Sequence, residues 1–131
     1  MGLTTSEAQR ILSAAQAEAQ NMGIKVGISV VDGRGDLLTM VRLDGASWRS
    51  PILSRGKAMA SVTFGVPSGD LTERASTPVM QAMIVSQAGN FVPGQGALPI
   101  MRGGDVIGAV GVSGGTSQED EDIARAGIDV L

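Results

Sequence analysis

Apolar residues recur with two different periods along this chain, and each change of period marks a new element. Over the first segment they recur every three or four residues, which predicts one amphipathic helix. Thr4 and Glu7 have the spacing of a capping box, and Gly23 is of a residue type that commonly ends helices. The pattern therefore predicts a helix that begins after Thr4 and ends near Met22.

Four later segments alternate with the period of two that is typical of strands. They cover residues 25–32, 36–43, 97–102 and 105–113. Short turns separate them in pairs, so the strands form two hairpins. In the last strand Val106 and Val110 are predicted on one face, and Ile107 and Gly111 on the other. Since both faces are apolar or small, this strand is predicted to be central, with a helix or a ligand close to its glycines.

Helices are predicted at residues 47–64 and 78–87, and a last helix begins at Ser117. Ile52 is expected on the buried side of the first of these. The tight turns between paired strands disfavour parallel βαβ units. The predicted fold class is therefore α/β in the α+β sense, an antiparallel sheet of about four to five strands with helices on both faces. It forms a single domain over residues 1–131.

Composition and charge remove several classes of function. The net charge is −3 and no cluster of Lys and Arg is present, so nucleic acid is not an expected partner. No apolar run approaches the ~20 residues of a membrane span, and the amino terminus shows no signal-peptide pattern. With no Cys, a cytoplasmic location is expected. The chain also lacks His and Tyr, which excludes His triads, zinc centres of Cys and His, and most haem ligand sets. No metal site is predicted.

Several short runs together carry a family pattern. They are Ile28-Ser29-Val30-Val31-Asp32, Arg42-Leu43-Asp44-Gly45-Ala46, Leu98-Pro99-Ile100, and Gly108-Ala109-Val110-Gly111-Val112-Ser113-Gly114-Gly115 followed by Glu119-Asp120-Glu121. Through these runs, and over nearly its whole length, the chain resembles the GlcG/HbpS-like proteins, also called the haem-degrading domain family. The resemblance implies a profilin-like α/β/α sandwich that assembles as a homo-oligomer, a dimer, tetramer or octamer.

The functions that this resemblance implies are varied. Some members bind or degrade haem, and others stand beside genes of glycolate, diol or aromatic catabolism. A related domain accompanies cobalamin adenosyltransferases. Members often carry a His where this chain has Asp36. A haem here would have only Met, Lys or oxygen ligands, or apolar contact alone. No cofactor is therefore certain, and haem binding or haem degradation without a His ligand is a further alternative.

Two classes of function stay open beside that alternative. The first is an oligomeric small-molecule-binding protein, accessory to a catabolic pathway for small organic acids. Its pocket is predicted between the second helix and the glycine-rich loop at residues 89–96. An Arg side chain can clamp a carboxylate through two hydrogen bonds. The candidate ligand-binding residues are Arg42, Arg49, Lys57, Asn90 and Gln95.

The second class is an enzyme, a tautomerase, isomerase or hydrolase acting on a small organic acid or a ring-cleavage product. Lys57 or Asp44 then serves as its acid or base. The competing structural interpretation places Arg42 and Asp44 in surface or interface ion pairs and Lys57 in solvent. The glycine-rich run at residues 111–115 is not expected to cradle a phosphate, because four carboxylates follow it at residues 119–122.

Overall fold

The structure is a computed structural model that describes residues 2–131. Its elements are α1 (Thr5–Met22), β1 (Gly27–Asp32), β2 (Leu37–Arg42), α2 (Arg49–Phe64), a 3-10 helix (Ser68–Arg74), α3 (Pro78–Ser86), β3 (Ala97–Arg102), β4 (Asp105–Ser113) and α4 (Ser117–Ile128). The predicted strands and helices are all present, and the predicted ends agree to within two residues. The 3-10 helix is an addition that the sequence pattern did not indicate.

The four strands form one antiparallel sheet in the order β2-β1-β4-β3. β4 pairs with both β1 and β3, so it is a central strand, as its composition predicted. α2 covers one face of the sheet, and α1 and α4 cover the other. This arrangement confirms the predicted α+β sandwich on an antiparallel sheet.

The larger core lies between the sheet and the pair of helices α1 and α4. Ile11, Ile28, Val110 and Ile123 are among its buried side chains. Both helices begin with a capping box, in which a Thr hydroxyl accepts from an amide three residues later and a Glu carboxylate accepts from the Thr amide. The caps fix where each helix starts, and the apolar stripe fixes which side faces the sheet.

α2 approaches the opposite face of the sheet so closely that its backbone touches the strands. A Cβ on Gly111 of β4 would overlap the carbonyl oxygen of Ser54. A Cβ on Gly27 of β1 would lie 2.5 Å from the carbonyl carbon of Ser50. The hydroxyl oxygens of Ser29 and Ser54 are 2.7 Å apart in this buried layer. Gly111 of β4 therefore makes room for a helix, which is one of the two predicted reasons for the glycines of this strand.

This close packing also corrects the predicted buried side of α2. Ile52, which was expected to be buried, is 58% exposed. The helix instead buries mostly small residues, namely Ser50, Ser54, Gly56, Ala58, Ala60 and Ser61. A large branched side chain has no room where two backbones are in contact.

A β-bulge corrects the predicted faces at the start of β4. The register of β3 against β4 shifts after Ile100, and Ile107 is left without a partner in the ladder. Ile107 packs in the core under α1 and α4, whereas Val106 packs toward α2. Val106 and Val110 therefore lie on opposite faces, because one inserted residue reverses the alternation on its far side.

Candidate functional site

A polar cleft opens at the end of the sheet where β1 begins and β4 ends. The loops that join α1 to β1, β2 to α2 and β4 to α4 surround it, and its volume is about 780 Å³. Its charged lining residues are Lys25, Arg49, Lys57, Glu119 and Asp120. Arg49 is exposed, with its guanidinium carbon 5.8 Å from the centre of the Trp48 ring. Two members of the predicted binding set, Arg49 and Lys57, therefore share one cleft.

Lys57 lines this cleft although only 9% of its surface is exposed. Its ammonium donates to the carbonyl oxygen of Val112 at 3.0 Å and to Oδ2 of Asp120 at 3.1 Å. An ammonium has three N–H donors, and residues 2–131 supply no third partner. The interpretation of Lys57 as a solvated surface residue is therefore wrong, and two of its three N–H donors are engaged within residues 2–131.

Asp120 supplies the carboxylate of this buried pair and is only 2% exposed. Its Oδ1 accepts from the amide of Gly115 at 2.8 Å, while its Oδ2 accepts from Lys57. Burial raises the pKa of Asp120 above the ordinary value of an aspartate, and the charge of Lys57 lowers it in part. A carboxyl of raised pKa beside an ammonium is a group that can exchange a proton with a bound acid.

Asp120 is the site residue that the sequence-based prediction missed, although the sequence contains a signal for it. Asp120, Ile123, Ala124 and Gly127 have the spacing of one helix face, and all four are buried. Asp120 stands in a run of four consecutive carboxylates at residues 119–122, and such a run at a helix start is typical of residues that interact with the helix dipole. Its position on the apolar stripe of α4 indicates instead an inward-facing carboxylate, which needs a partner.

Arg42 and Asp44 line a different cleft of about 350 Å³ at the end of α1, together with Lys25. Both Arg42 and Asp44 are exposed, and no ion pair joins either of them to another residue in the described range. The structure therefore does not bring Asp44 to Lys57. The carboxylate in that position is Asp120.

The loop at residues 89–96 packs directly on α2. The amide of Val92 donates to the carbonyl of Gly56 at 2.9 Å, and the Val92 side chain fills the space beside that glycine. Asn90 lines a third cleft of about 650 Å³ between this loop and α2. Gln95 donates to Oε1 of Gln118 at 3.3 Å. The predicted pocket between α2 and the loop therefore contains Asn90 but none of the predicted cations.

Metal and membrane sites have no counterpart in the part of the chain that the structure describes. Within residues 2–131, no three side chains of His, Cys, Asp or Glu are grouped so that they could hold a metal ion. No helix over the same residues is both long enough and apolar enough to cross a membrane. The polar cleft beside Lys57 is the leading candidate site, because it brings together two of the predicted binding residues, Arg49 and Lys57.

The whole chain is similar to proteins of known sequence or structure. A family model described as "Haem degrading protein HbpS-like" matches residues 3–129. An uncharacterized 15.0 kDa protein in the dhaT-dhaS intergenic region of Citrobacter freundii is 31% identical over 97% of this chain and 90% of its own length. A crystal structure of a Streptomyces reticuli HbpS double mutant matches with a TM-score of 0.88 and 30% identity, over 100% of this chain and 88% of that chain. A crystal structure of a PduOC:heme complex matches with a TM-score of 0.88 and 26% identity, over 100% of this chain and 96% of that chain.

Proposed function

The chain belongs to the HbpS-like family, and on this basis we propose that it is an oligomeric small-molecule-binding protein. The proposed ligand is a small organic acid, and the proposed role is accessory to a catabolic pathway for such acids. One observation carries the proposal. The ammonium of Lys57 is held in an open polar cleft and keeps one donor without a partner among residues 2–131.

The charges around the cleft support an acid as the ligand. The cleft is lined by three positive side chains and two negative ones. The positive ones are Lys25, Arg49 and Lys57, and the negative ones are Glu119 and Asp120. A carboxylate that accepts from Lys57 gains a charge-assisted hydrogen bond in a partly desolvated position, where charges interact more strongly than in water. Ser and Thr hydroxyls of the loop between β4 and α4 offer further donors and acceptors for a hydroxyl or keto oxygen.

A binding experiment tests this site directly. Short-chain hydroxy and keto acids are titrated into the full-length protein, and affinity is measured by ligand-observed NMR. Arg49→Gln changes an exposed position. We expect it to lower the affinity for the acid that binds best by about tenfold, since a lost charge-assisted hydrogen bond costs about 1.4 kcal/mol or more.

Arg34→Gln is the control, because the Arg34 side chain is 87% exposed and outside the cleft. It should leave the affinity unchanged. The proposed site is rejected if no acid binds, or if Arg49→Gln binds every acid as the wild type does. If Arg42→Gln or Asp44→Asn alone changes the affinity, the ligand occupies the cleft at the end of α1 instead.

Acid–base catalysis on the same acid is a second candidate function. The raised pKa of Asp120 favours it, because this carboxyl stands beside Lys57 where the acid is proposed to bind. In a tautomerisation Asp120 would take the proton from the carbon next to a keto group, and Lys57 would stabilise the resulting enolate. The protein should then accelerate hydrogen–deuterium exchange at that carbon, and Asp120→Asn should abolish the acceleration. No acceleration by the wild type would reject this function and leave binding alone.

A haem held by a His, Cys or Tyr ligand calls for a donor that this chain does not offer. The family description names haem degradation, and one similar structure is a heme complex. However, the chain contains no His, Cys or Tyr, and the ammonium of Lys57 is engaged by Asp120. These residues do not fit a haem with a His, Cys, Tyr or Lys57 ligand, which leaves only another Lys, Met or oxygen ligands or apolar contact. Haem is therefore not part of the proposed function.

Assembly of identical chains, as a dimer, tetramer or octamer, is part of the proposal. Three large apolar side chains outside the core support it, since Trp48 is 67% exposed, Val79 is 66% exposed and Val85 is 77% exposed. β2 and β3 are also edge strands with unpaired backbone groups. Sedimentation velocity measures the assembly directly, and a monomer at every concentration would refute it.

We further propose a cytoplasmic location, which the lack of Cys supports.

A further inference from the structure

The cleft of about 650 Å³ on the outer side of α2 is separate from the one beside Lys57, and no residue lines both. Its walls come from three elements. They are Met40 of β2, Ile52 and Arg55 of α2, and Gln87 and Asn90 of the turn after α3. Arg55 is the only charged residue among its lining residues. The positive charge in this cleft therefore has no carboxylate beside it, in a chain whose net charge is −3.

Arg55 is unusual because it is half-buried and has no hydrogen-bond or ion-pair partner among residues 2–131. Its Nε is covered by the protein and makes no hydrogen bond. No carboxylate within residues 2–131 lies within ion-pair distance of its guanidinium. A buried donor without an acceptor is costly, and such groups are few in native proteins. Arg55 is therefore the group in this cleft that a ligand would satisfy.

The turn that closes the cleft is itself strained. Ala88 has a φ of 55°, and it is the only non-glycine residue with a positive φ among residues 2–131. Such a backbone conformation is unfavourable for a residue with a Cβ. α3, which leads into the turn, has only one buried residue, Met80. Ala88 and Gly89 of this turn line the same cleft as Arg55, so an outward movement of the turn would widen the cleft.

We propose that this cleft binds a small organic monocarboxylate through Arg55, and that the turn at residues 87–90 moves outward to admit it. The planar guanidinium offers two parallel N–H donors to the two oxygens of one carboxylate. Met40 and Ile52 supply the apolar contact for a short alkyl or aryl tail. The side-chain amides of Gln87 and Asn90 line the same cleft and offer hydrogen bonds to a carboxylate oxygen.

Hexanoate and its neutral analogue hexanamide are suitable probes for the full-length protein. Saturation-transfer NMR gives the affinity for each. We expect hexanoate to bind and hexanamide to bind at least about tenfold more weakly, since the amide removes the charge. Arg55→Gln should lower the affinity for hexanoate by at least about tenfold. Arg55→Lys should also lower this affinity, because Lys keeps the charge but loses the paired donors.

Two further variants keep the test independent of any effect of Arg55 on folding. Ile52→Glu places a carboxylate in the cleft at a position that is 58% exposed, and it should abolish hexanoate binding. Ala82→Glu makes the same charge change at a nearby exposed residue of α3 that does not line the cleft, and it should bind hexanoate as the wild type does. Hydrogen exchange at residues 87–90 should change when hexanoate binds.

Several results would overturn the proposal. One is equal binding of hexanoate and hexanamide, and a second is wild-type affinity for hexanoate in Arg55→Gln. A third is an equal loss of hexanoate affinity in Ile52→Glu and Ala82→Glu. Smaller assemblies in Arg55→Gln with unchanged hexanoate affinity would show that a neighbouring subunit, and not a ligand, satisfies Arg55. Hydroxy and keto acids with Arg49→Gln test the cleft beside Lys57, whereas hexanoate with Arg55→Gln tests this one, so the two sites can fail separately.

Discussion

Lys57 and Asp120 are 63 positions apart in sequence, and their Nζ and Oδ2 atoms are 3.1 Å apart. Lys57 lies on α2, which covers one face of the sheet, and Asp120 lies on α4, which covers the other. The ion pair therefore connects the two helical layers at the end of the sheet. The same two side chains line the polar cleft, so one contact serves both the packing and the proposed binding site.

The pair predicts a specific pattern of stability changes. Lys57→Met leaves the carboxylate of Asp120 buried without its cation, and such a loss costs about 3–5 kcal/mol of unfolding free energy. The double variant Lys57→Met/Asp120→Asn removes the buried charge and keeps an acceptor for the Gly115 amide, so it should recover most of that loss. Urea unfolding of the wild type, both single variants and the double variant measures the coupling. Additive effects of the two substitutions would contradict the pairing.

Asp120 also predicts how stability depends on pH. Burial raises its pKa in the folded protein above the ordinary value of 3.8, so the folded state binds this proton more tightly than the unfolded state does. The contribution of Asp120 to the unfolding free energy therefore falls as pH rises from 3.8 through the folded pKa, and it is constant above that.

The direction of this pH dependence is tested by measuring the unfolding free energy of the wild type and of Asp120→Asn over about pH 3.5 to 7. The wild type should lose stability relative to the variant as the pH rises through that window. A relative gain would show that the pKa of Asp120 is lowered in the folded protein.

The contact between α2 and β4 predicts that Gly111 tolerates no side chain. In Gly111→Ala the new methyl group meets the backbone at Ser54, which cannot move without displacing α2 from the sheet. We expect a loss of about 3 kcal/mol or more in unfolding free energy, the upper end of the usual range for overpacking. Gly94→Ala is the control, because its Cβ would make only an ordinary contact at 3.9 Å. Similar unfolding curves for both variants would refute the close approach.

The strain at Ala88 predicts a variant that is more stable than the wild type. Glycine adopts the observed φ of 55° without a steric cost. Ala88→Gly should therefore raise the unfolding free energy by about 0.5–1 kcal/mol, after the entropy that glycine loses on folding is subtracted. Ala82→Gly, at an exposed position inside α3, should lower it instead. A loss of stability in Ala88→Gly would argue against a strained turn.

The alternation of apolar residues and the glycine turns were sufficient to predict the four strands and the two hairpins, because both are local signals. The pairing of β1 with β4, which joins the hairpins, was not predicted. The face of Ile107 could not be predicted in this way, since the bulge beside it depends on how β3 pairs with β4. The exposure of Ile52 depends on the small distance between α2 and the sheet. Both corrections come from contacts between distant parts of the chain.

The candidate site was predictable to a smaller extent for the same reason. Lys57 was identified as chemically important, but its partner Asp120 lies on another element and was grouped with the charges of a helix terminus. Arg42 and Asp44 were expected near Lys57, although they line a different cleft. Spacing along one helix indicates which side chains face inward. Only the packing of α2 against α4 and the sheet determines which of them meet.

Native mass spectrometry tests the central claim most directly. The wild type and Lys57→Met/Asp120→Asn are purified from cells that produce the protein naturally, and their subunit number and retained small molecules are measured together. We predict an oligomer for both, with a small organic acid retained by the wild type and absent from the double variant. A bare monomer, or an acid retained equally by both proteins, would contradict the proposed assembly or the proposed site.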